Sequence, residues 1–244
     1  MKYLGVIPAR LGSTRLPRKP LQLLLNKPLI LWVCEAVQKS KKLEKFIVAT
    51  DSKEVMDVVV QAGFEAQMTS EDCASGTDRA LEVAKVFEPQ FIVNIQGDEP
   101  LISSEEIDGL IEFIESKNQK NCWATLGHKL SIDDLENKNS VKVVFNQKNE
   151  ALYFSRYPIP FSRQDYQPES KSVLKHVGLY AYTFNALKEF CLSPPCDLEI
   201  AESLEQLRAL DLGIKIFVKN TEYKSIGVDT IEDLKKVEKI MEKI

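Results

Sequence analysis

Residues 7–21 read Ile7-Pro8-Ala9-Arg10-Leu11-Gly12-Ser13-Thr14-Arg15-Leu16-Pro17-Arg18-Lys19-Pro20-Leu21, and they follow a short apolar run, 3–7, that predicts a buried strand. Three prolines limit the backbone freedom of this loop. Four cations, a glycine and a serine lie within it, so backbone N–H groups and positive side chains can both approach phosphate oxygens. The stretch therefore indicates either a polyphosphate-binding loop or a solvated basic loop.

The composition limits the classes of protein to which the chain can belong. Its 244 residues, 44% hydrophobic and 28% charged, are typical of a globular chain, and an α/β chain of this length is commonly one domain. The formal net charge of −4 makes the basic loop a local exception in a mildly acidic protein. We therefore expect a small anionic ligand and no nucleic-acid partner.

The cysteines and the hydropathy pattern indicate the compartment. Five cysteines are scattered without a C-x-x-C pair, which argues against a disulfide framework and against a zinc site. The N-terminus lacks the pattern of a signal peptide, and no apolar run approaches the roughly 18 residues of a membrane span. The sequence predicts a cytoplasmic protein that has no membrane partner.

Strands and helices alternate along the first half of the chain. Apolar runs bounded by charges predict strands, and apolar residues spaced three and four apart predict helices. This alternation predicts a Rossmann-like α/β fold, with an open, mostly parallel sheet and helices on both faces. The predicted strands are 3–7, 46–50 and 91–95, and the predicted helices cover about 30–37, 53–62 and 103–114.

The pattern changes after about residue 123. Strand-like segments at 140–145, 151–154 and 176–182 lack long intervening helices. They predict a smaller β-rich lobe at about 123–190 within a single domain, 1–244, and this lobe is a candidate for substrate contact and subunit pairing. A strand is expected at 214–218 and a closing helix at 230–244.

A late helix is predicted from about residue 198 to 210. Ile200, Leu204 and Leu207 form its expected buried stripe. Glu199, Glu202 and Gln206 share the opposing face. That face is either solvated or a polar wall against a hydroxyl-rich substrate.

Polar clusters fall where strands are predicted to end, which is where open α/β sheets bind ligands. Gln96-Gly97-Asp98-Glu99-Pro100 follows a strand, and a carboxylate there suits Mg²⁺, although the segment also reads as a turn. Asp229 in Gly227-Val228-Asp229-Thr230 is a second candidate metal ligand, although Asp229 or Thr230 could instead cap the last helix with Asp233. The loop 72–79 could contact a base or ribose, or only cap the helix that follows.

Other catalytic templates are absent from the sequence. It contains no Walker-A loop, no G-x-G-x-x-G fingerprint and no G-x-S-x-G nucleophile elbow. The two histidines, His128 and His176, lie outside any metal-binding motif.

Seven motifs in order resemble those of the 3-deoxy-manno-octulosonate (Kdo) cytidylyltransferases, and the resemblance runs over nearly the whole chain. The opening stretch matches Ile-Pro-Ala-Arg-x-Gly-Ser-Thr-Arg-Leu-Pro-x-Lys-Pro-Leu. The other motifs are Ser-Gly-Thr-Asp-Arg, Gln-Gly-Asp-Glu-Pro, Tyr-Phe-Ser-Arg, His-x-Gly-x-Tyr, Leu-Glu-Gln-Leu-Arg and Gly-Val-Asp-Thr. N-acylneuraminate cytidylyltransferases are related, but their opening motif usually lacks the form found at 15–21.

The resemblance implies an enzyme that transfers CMP from CTP to Kdo and releases pyrophosphate. It implies Mg²⁺ as cofactor, activation of Kdo for lipopolysaccharide biosynthesis, and a homodimer formed through the β-rich lobe. A cytidylyltransferase for a modified Kdo or a sialic acid is the near alternative. A non-catalytic nucleotide-binding protein is the alternative of a different class.

The resemblance also assigns roles to residues, and the opening loop adds Gly12, Ser13 and Arg15 as nucleotide contacts. The implied sugar site includes Glu205 rather than Glu199, and no general base is assigned. Arg18 stands where glycine is common in the family and is placed outside the active site. The implied catalytic residues are Arg10, Lys19, Asp98 and Asp229, with Asp98 and Asp229 on the metal; the nucleotide contacts are Pro8, Ala9, Arg10, Lys19, Ser75, Gly76, Arg79 and Gln96; the sugar contacts are Arg156, Arg163, His176, Tyr180, Glu205 and Gln206.

Overall fold

The computed structural model describes residues 1–12, 15–161, 163 and 172–243. The chain divides into two compact units, one formed by 1–111 with 225–244 and the other by 112–224. The second unit contains the whole range predicted for the β-rich lobe.

Four parallel strands form the centre of the first unit. They are β1 (Tyr3–Pro8), β4 (Lys45–Thr50), β5 (Ala66–Met68) and β6 (Phe91–Asn94). β1 pairs in parallel with β4 and with β6, and β5 pairs in parallel with β4. All side chains of β6 are buried, as expected of a strand that is covered on both faces. A small hairpin of β2 (Leu23–Leu24) and β3 (Lys27–Pro28) follows the opening loop.

The helices of the first unit follow its strands. They are α1 (Leu29–Val37), α2 (Lys53–Gln61), α3 (Gly76–Phe87), α4 (Ser104–Ser116), which runs into the second unit, and α9 (Ile231–Met241). The helices predicted in this unit at 30–37, 53–62, 103–114 and 230–244 all form. Each observed end lies within three residues of the predicted end. The predicted α/β class with a parallel sheet is confirmed.

The second unit is a mixed sheet. Its strands are β7 (Cys122–His128), β8 (Lys142–Phe145), β9 (Ala151–Ser155), β10 (Val173–Thr183) and β11 (Lys215–Asn220). β10 runs antiparallel to β7 and β8, β9 runs antiparallel to β8, and β11 runs parallel to β7. The helices are α5 (Ile132–Glu136), α6 (Phe184–Leu192), α7 (Asp197–Glu202) and α8 (Gln206–Asp211). The sequence did not predict β5, β7, α5 or α6.

The single late helix predicted at 198–210 is wrong, because the structure has two short helices there. The chain breaks at Ser203, whose φ of 51° lies in the left-handed region and ends α7. The break changes which side chains point to the interior, so Ile200 is 66% exposed whereas Leu204 and Leu207 are buried. The opposing face is neither simply solvated nor continuous, since Glu199 accepts hydrogen bonds from Arg208.

Candidate active site

Lys19 lies between two carboxylates in the first unit. Its Nζ atom is 2.5 Å from Asp98 Oδ2 and 2.8 Å from Asp229 Oδ1. Lys19 begins a short 3₁₀ turn, Asp98 follows β6, and Asp229 precedes α9. The structure thus brings together the three residues that the sequence placed in catalysis at positions 19, 98 and 229. Arg15 joins this cluster, with Nη2 3.1 Å from Asp229 Oδ2.

Apolar packing holds the backbone of this cluster. Leu16 and Val228 are almost fully buried in one hydrophobic group with Val237 of α9, and burial of one such side chain stabilises the fold by roughly 2 kcal/mol. The backbone N–H of Val228 donates a 2.9 Å hydrogen bond to the carbonyl oxygen of Asp98. The two aspartates therefore lie on segments joined directly to each other.

Gly97 permits the close approach of two strand ends. A Cβ atom at this position would lie 2.6 Å from the carbonyl oxygen of Pro8, closer than any side chain tolerates. The glycine therefore lets the segment bearing Gln96 and Asp98 pass directly beside the end of β1, where Pro8 and Ala9 lie.

Thr230, rather than Asp229, caps α9. The Thr230 hydroxyl accepts a hydrogen bond from the backbone N–H of Asp233, and the Asp233 carboxylate accepts one from the N–H of Thr230. This capping box was one of the two alternatives for the segment. Because Thr230 caps the helix, the Asp229 carboxylate is directed to Lys19 and Arg15 instead.

Electrostatics keep Lys19 positively charged. Burial alone would lower the pKa of Lys19, but the charge of Asp98 and the hydrogen bonds from Lys19 to Asp229 and Asp98 outweigh it, so the pKa is raised. The side chain is 17% exposed. A charged ammonium at this depth can neutralise an anionic ligand without a proton being taken up first.

The remaining cations of the opening loop separate into two groups. Arg10 is exposed directly after β1, and Gly12 is also exposed. Arg18 pairs with Glu54 of α2, and its placement outside the active site stays a prediction. Ser13, predicted to contact the nucleotide, lies outside the described residues.

The loop before α3 is occupied with internal contacts. Ser75 forms a capping box with Asp78, so this loop does cap α3, and its predicted contact with a base or ribose stays a prediction. Gly76 lies against the ring of Pro8. The Arg79 side chain is 3% exposed, with Nη2 2.5 Å from Asp51 Oδ2 and Nη1 2.6 Å from Thr69 Oγ1. Arg79 thus ties α3 to the ends of β4 and β5, and its predicted nucleotide contact stays a prediction.

His176 and Tyr180 are brought together by an irregularity in β10 of the second unit. The register of β10 against β7 shifts between Val177 and Tyr180, and the rings of His176 and Tyr180 have centroids 5.2 Å apart. The Thr125 hydroxyl supports this irregularity by donating to the carbonyl oxygens of Val177 and Leu179, at 3.0 and 2.9 Å. β-Bulges commonly redirect side chains in this way.

The hydrogen bonds around Thr125 assign the proton on His176. Since the Thr125 hydroxyl donates to backbone carbonyls, we assign the 3.0 Å contact between Thr125 Oγ1 and His176 Nε2 to donation by the ring N–H. Burial lowers the pKa of His176 to about 3. The ring is therefore neutral at ordinary pH, and its Nδ1 atom is the acceptor nitrogen.

Tyr180 presents a buried hydroxyl. Among the residues that the structure describes, this hydroxyl has no hydrogen-bond partner. Burial raises the pKa of Tyr180, and the nearby charges of Tyr182 and Glu205 act in the same direction. Glu205 directly precedes α8, and Gln206, which is 6% exposed, begins that helix.

The two arginines predicted to bind the sugar differ in their surroundings. Arg156 donates from Nε, Nη1 and Nη2 to the backbone carbonyls of Glu202, Lys138 and Ser203. Arg163 is exposed. Arg156 thus has a structural role, binding three backbone carbonyls, that the sequence did not indicate. Its predicted contact with the sugar carboxylate stays a prediction.

Two groups of importance were missed in the sequence. The sequence pattern indicated no role for Asp51, although its carboxylate pairs with Arg79. Lys142 is 0% exposed, and its ammonium donates to three backbone carbonyls. The signal for Lys142 was present, because a lysine within the apolar run Val141-Lys142-Val143-Val144 interrupts the pattern of a covered strand.

Two further observations concern metal binding and membrane spanning. Over the described ranges, no three histidine, cysteine, aspartate or glutamate side chains group closely enough to hold a metal ion. No helix within these ranges combines the length and apolar character needed to cross a bilayer.

Comparison with known sequences gives a consistent family. A sequence model described as cytidylyltransferase matches residues 4–219. A 3-deoxy-manno-octulosonate cytidylyltransferase of Bdellovibrio bacteriovorus is 49% identical over 244 residues, which cover 99% of this chain and 98% of the relative. The corresponding protein of Thermodesulfovibrio yellowstonii is 46% identical over 253 residues, covering 99% of this chain and 98% of the relative.

Solved structures agree with these relatives. A CMP:2-keto-3-deoxy-manno-octonic acid synthetase complexed with CTP superposes with a TM-score of 0.93 at 40% identity, covering 100% of this chain and 99% of that one. A cytidylyltransferase of Leptospira borgpetersenii, at 19% identity and a TM-score of 0.68, covers 100% of this chain and 88% of that one. The second likeness shows a shared fold alone.

Proposed function

The chain belongs to the 3-deoxy-manno-octulosonate cytidylyltransferase family, and from that premise we propose that it transfers CMP from CTP to Kdo and releases pyrophosphate. The observation that carries the proposal is the convergence of Lys19, Asp98 and Asp229. It unites the opening loop with two carboxylates in a chain whose relatives bear the name of this activity over their full length.

The reaction is a displacement at the α-phosphorus of CTP. The anomeric hydroxyl oxygen of the sugar forms a bond to that phosphorus, the bond from phosphorus to the bridging oxygen of the β-phosphate breaks, and the hydroxyl proton leaves to solvent. Such transfers depend on positioning and charge neutralisation more than on covalent help from the protein. We assign this neutralisation to Lys19 and Arg10, with Arg15 beside them.

Mg²⁺ is the cofactor that we propose. Two oxygens, one from Asp98 and one from Asp229, lie within 2.8 Å of a single cationic nitrogen, so both carboxylates are directed at one cationic position. Mg²⁺ is commonly held by one or two carboxylates, and phosphates and water complete its shell. Asp98 and Asp229 would hold the ion, which would neutralise phosphate charge and lower the pKa of the attacking hydroxyl. Lys19 is assigned to neutralising the triphosphate.

The nucleotide contacts form the other part of the proposal for the first unit. Pro8, Ala9 and Gln96 lie at adjacent strand ends, where the backbone passes closely beside Gly97. Ser75 and Gly76 lie at the start of α3, beside Pro8. Arg79 supports this region through Asp51 and Thr69 rather than by a free guanidinium.

We assign recognition of the sugar acid to the second unit. His176 Nδ1 accepts a hydrogen bond from a sugar hydroxyl, and the unpartnered Tyr180 hydroxyl donates one. Glu205 and Gln206 bind further hydroxyls, and Arg163 or Arg156 pairs with the carboxylate. This set offers the sugar hydroxyls both neutral groups and the Glu205 carboxylate, and it offers the sugar acid an arginine.

The test is pyrophosphate release with CTP, Mg²⁺ and a panel of acidic sugars. We expect rapid release with Kdo, slow release with sialic acid, and loss of release on chelation with recovery when Mg²⁺ is added. Preference for a modified Kdo or a sialic acid would move the chain to a neighbouring specificity. No release with any sugar would leave a nucleotide-binding protein and overturn the proposal.

Two further assignments concern assembly and setting. The second unit exposes large apolar side chains at Leu152, Tyr157 and Phe161, which are 60%, 72% and 90% exposed. We propose that this apolar surface forms the homodimer contact. Light scattering after chromatography tests it, since Phe161→Asp should shift a dimer towards monomer. The free cysteines suit a reducing cytoplasm, and the product would activate Kdo for lipopolysaccharide biosynthesis.

A further inference from the structure

Glu202 and Arg156 join the segment after β9 to the turn between α7 and α8. Glu202 Oε1 accepts a 2.6 Å hydrogen bond from Ser155 Oγ, and Oε2 accepts a 2.9 Å bond from the backbone N–H of Arg156. In return, Arg156 Nε donates to the Glu202 carbonyl oxygen at 2.9 Å and Nη2 to that of Ser203 at 3.2 Å. Four hydrogen bonds therefore fix this junction in both directions.

Lys142 also holds this junction. Its ammonium donates to the carbonyl oxygens of Arg156, Ser140 and Asn137 at 2.6, 2.7 and 3.1 Å, which uses all three of its hydrogens. Burial lowers the pKa of Lys142, and the charge of Glu202 counteracts this effect. A fully buried cation without its own ion pair is costly, so its three contacts constrain the backbone strongly.

The turn that this junction holds is the one that delivers the proposed sugar contacts. Ser203 adopts a left-handed conformation, Leu204 is buried, and Glu205 and Gln206 follow at once. The charge of Glu205 acts on Tyr180. A small displacement of the turn would therefore move Glu205 relative to Tyr180, and misplacement by about 1 Å can cost about 10²-fold in a reaction.

We propose that Glu202 is a positioning residue for the sugar acid, which rests on the function proposed above. Its carboxylate holds the turn between α7 and α8 so that Glu205 and Gln206 meet the sugar hydroxyls, and it does not itself contact the sugar. Lys142 supports the same turn, because its ammonium binds the carbonyl oxygen of Arg156, and the N–H of Arg156 donates to Glu202. The pairing explains why a carboxylate that the sequence placed on a late helical face is turned inward.

The experiment compares Glu202→Ala with Glu202→Gln in steady-state kinetics of the whole enzyme. Alanine removes both acceptors, and we expect the KM for Kdo to rise about tenfold or more while the KM for CTP stays within about twofold. Glutamine keeps an oxygen for the Arg156 N–H and an amide that can donate to Ser155 Oγ. We therefore expect Glu202→Gln to return the KM for Kdo to within about threefold of the unsubstituted enzyme.

Glu150→Ala is the matched control. Glu150 also makes two side-chain hydrogen bonds that tie segments of the second unit together, to Lys215 and Asn146, but it supports no proposed sugar contact. We expect it to lower Tm and to leave both KM values within about twofold.

Three results would overturn the proposal. They are an unchanged KM for Kdo in Glu202→Ala, an equal rise of both KM values, and the same kinetic change in Glu150→Ala. The function proposed above is tested separately by the unsubstituted enzyme, because its failure to release pyrophosphate with Kdo would appear before any variant is compared.

Discussion

The two units hold their proposed binding groups by different physical means. The first unit uses charged side chains, with Lys19, Asp98, Asp229 and Arg15 linked over 2.5–3.1 Å. The second unit combines charged groups with two neutral side chains, His176 and Tyr180, which are set among aromatic rings and Thr125. A triphosphate is densely charged, and cationic side chains can replace its counterions. A sugar presents neutral hydroxyls, which form their best hydrogen bonds with fixed partners shielded from water.

Removing charge from the first unit should have the largest effect. We expect Asp98→Asn or Asp229→Asn to lower turnover by more than about 10³-fold, because a bound metal contributes several kcal/mol of charge stabilisation. The amide keeps the shape of the carboxylate, so Tm and circular dichroism should change little. Glu54→Gln, an exposed carboxylate that pairs with Arg18, is the control. Turnover like that of the unsubstituted enzyme at millimolar Mg²⁺ would remove both residues from the metal site.

Lys19→Ala should follow in size. We expect a loss of about 10²–10³ in kcat, comparable with the loss of one preorganised group that stabilises a transition state. Arg18→Ala is its matched control, since that neighbouring cation pairs with Glu54 outside the cluster, and its rate should stay within about threefold. A loss below about threefold for Lys19→Ala would place the opening loop away from the reacting phosphate.

The second unit should respond to pH through stability. His176 has a pKa of about 3 when folded and about 6.5 when unfolded. Between these values the unfolded chain binds the extra proton, so the free energy of unfolding falls as pH falls. Part of the residue remains accessible to solvent, so we expect a loss of about 1–2 kcal/mol, rather than more, between pH 7 and 5.

Denaturant unfolding at pH 7, 6 and 5 measures this loss. The stability advantage of the unsubstituted protein over His176→Asn should shrink by that amount across the series. Because burial also lowers the pKa of His128, His128→Asn is run beside it to separate the two rings. A constant difference between the unsubstituted protein and His176→Asn would mean that the folded ring titrates normally.

Sequence patterns predicted what local chemistry determines. Apolar periodicity placed three of the four parallel strands of the first unit and most of its helices, and residue type offered helix capping as one alternative for the segments of Thr230 and Ser75, where the structure has capping boxes. The position of Asp98 was predictable because strand ends of a parallel sheet meet at one edge, whereas the grouping of Lys19, Asp98 and Asp229 in catalysis came from the family resemblance. The first kind of inference needs only neighbours in sequence or a general rule of sheets.

Contacts between distant segments could not be predicted in the same way. The break at Ser203 carries no glycine or proline signal, so the periodicity of 198–210 read as one helix. Arg79 and Arg156 matched family motifs as cations, but their partners Asp51 and Glu202 lie 28 and 46 positions away. Residue type showed that these side chains are charged, but only the fold determines which atoms they bind.

The smallest expected effect tests a departure from the family pattern in the first unit. Arg18 has φ 57°, in the left-handed region, where a side chain costs roughly 1 kcal/mol and glycine does not. Its exposed pair with Glu54 contributes at most about 1 kcal/mol. Arg18→Gly and Arg18→Ala both lose that pair, but only glycine relieves the backbone. We therefore expect Arg18→Gly to be the more stable of the two by about 1 kcal/mol in urea unfolding, and equal stabilities would mean that this turn relaxes out of the left-handed region.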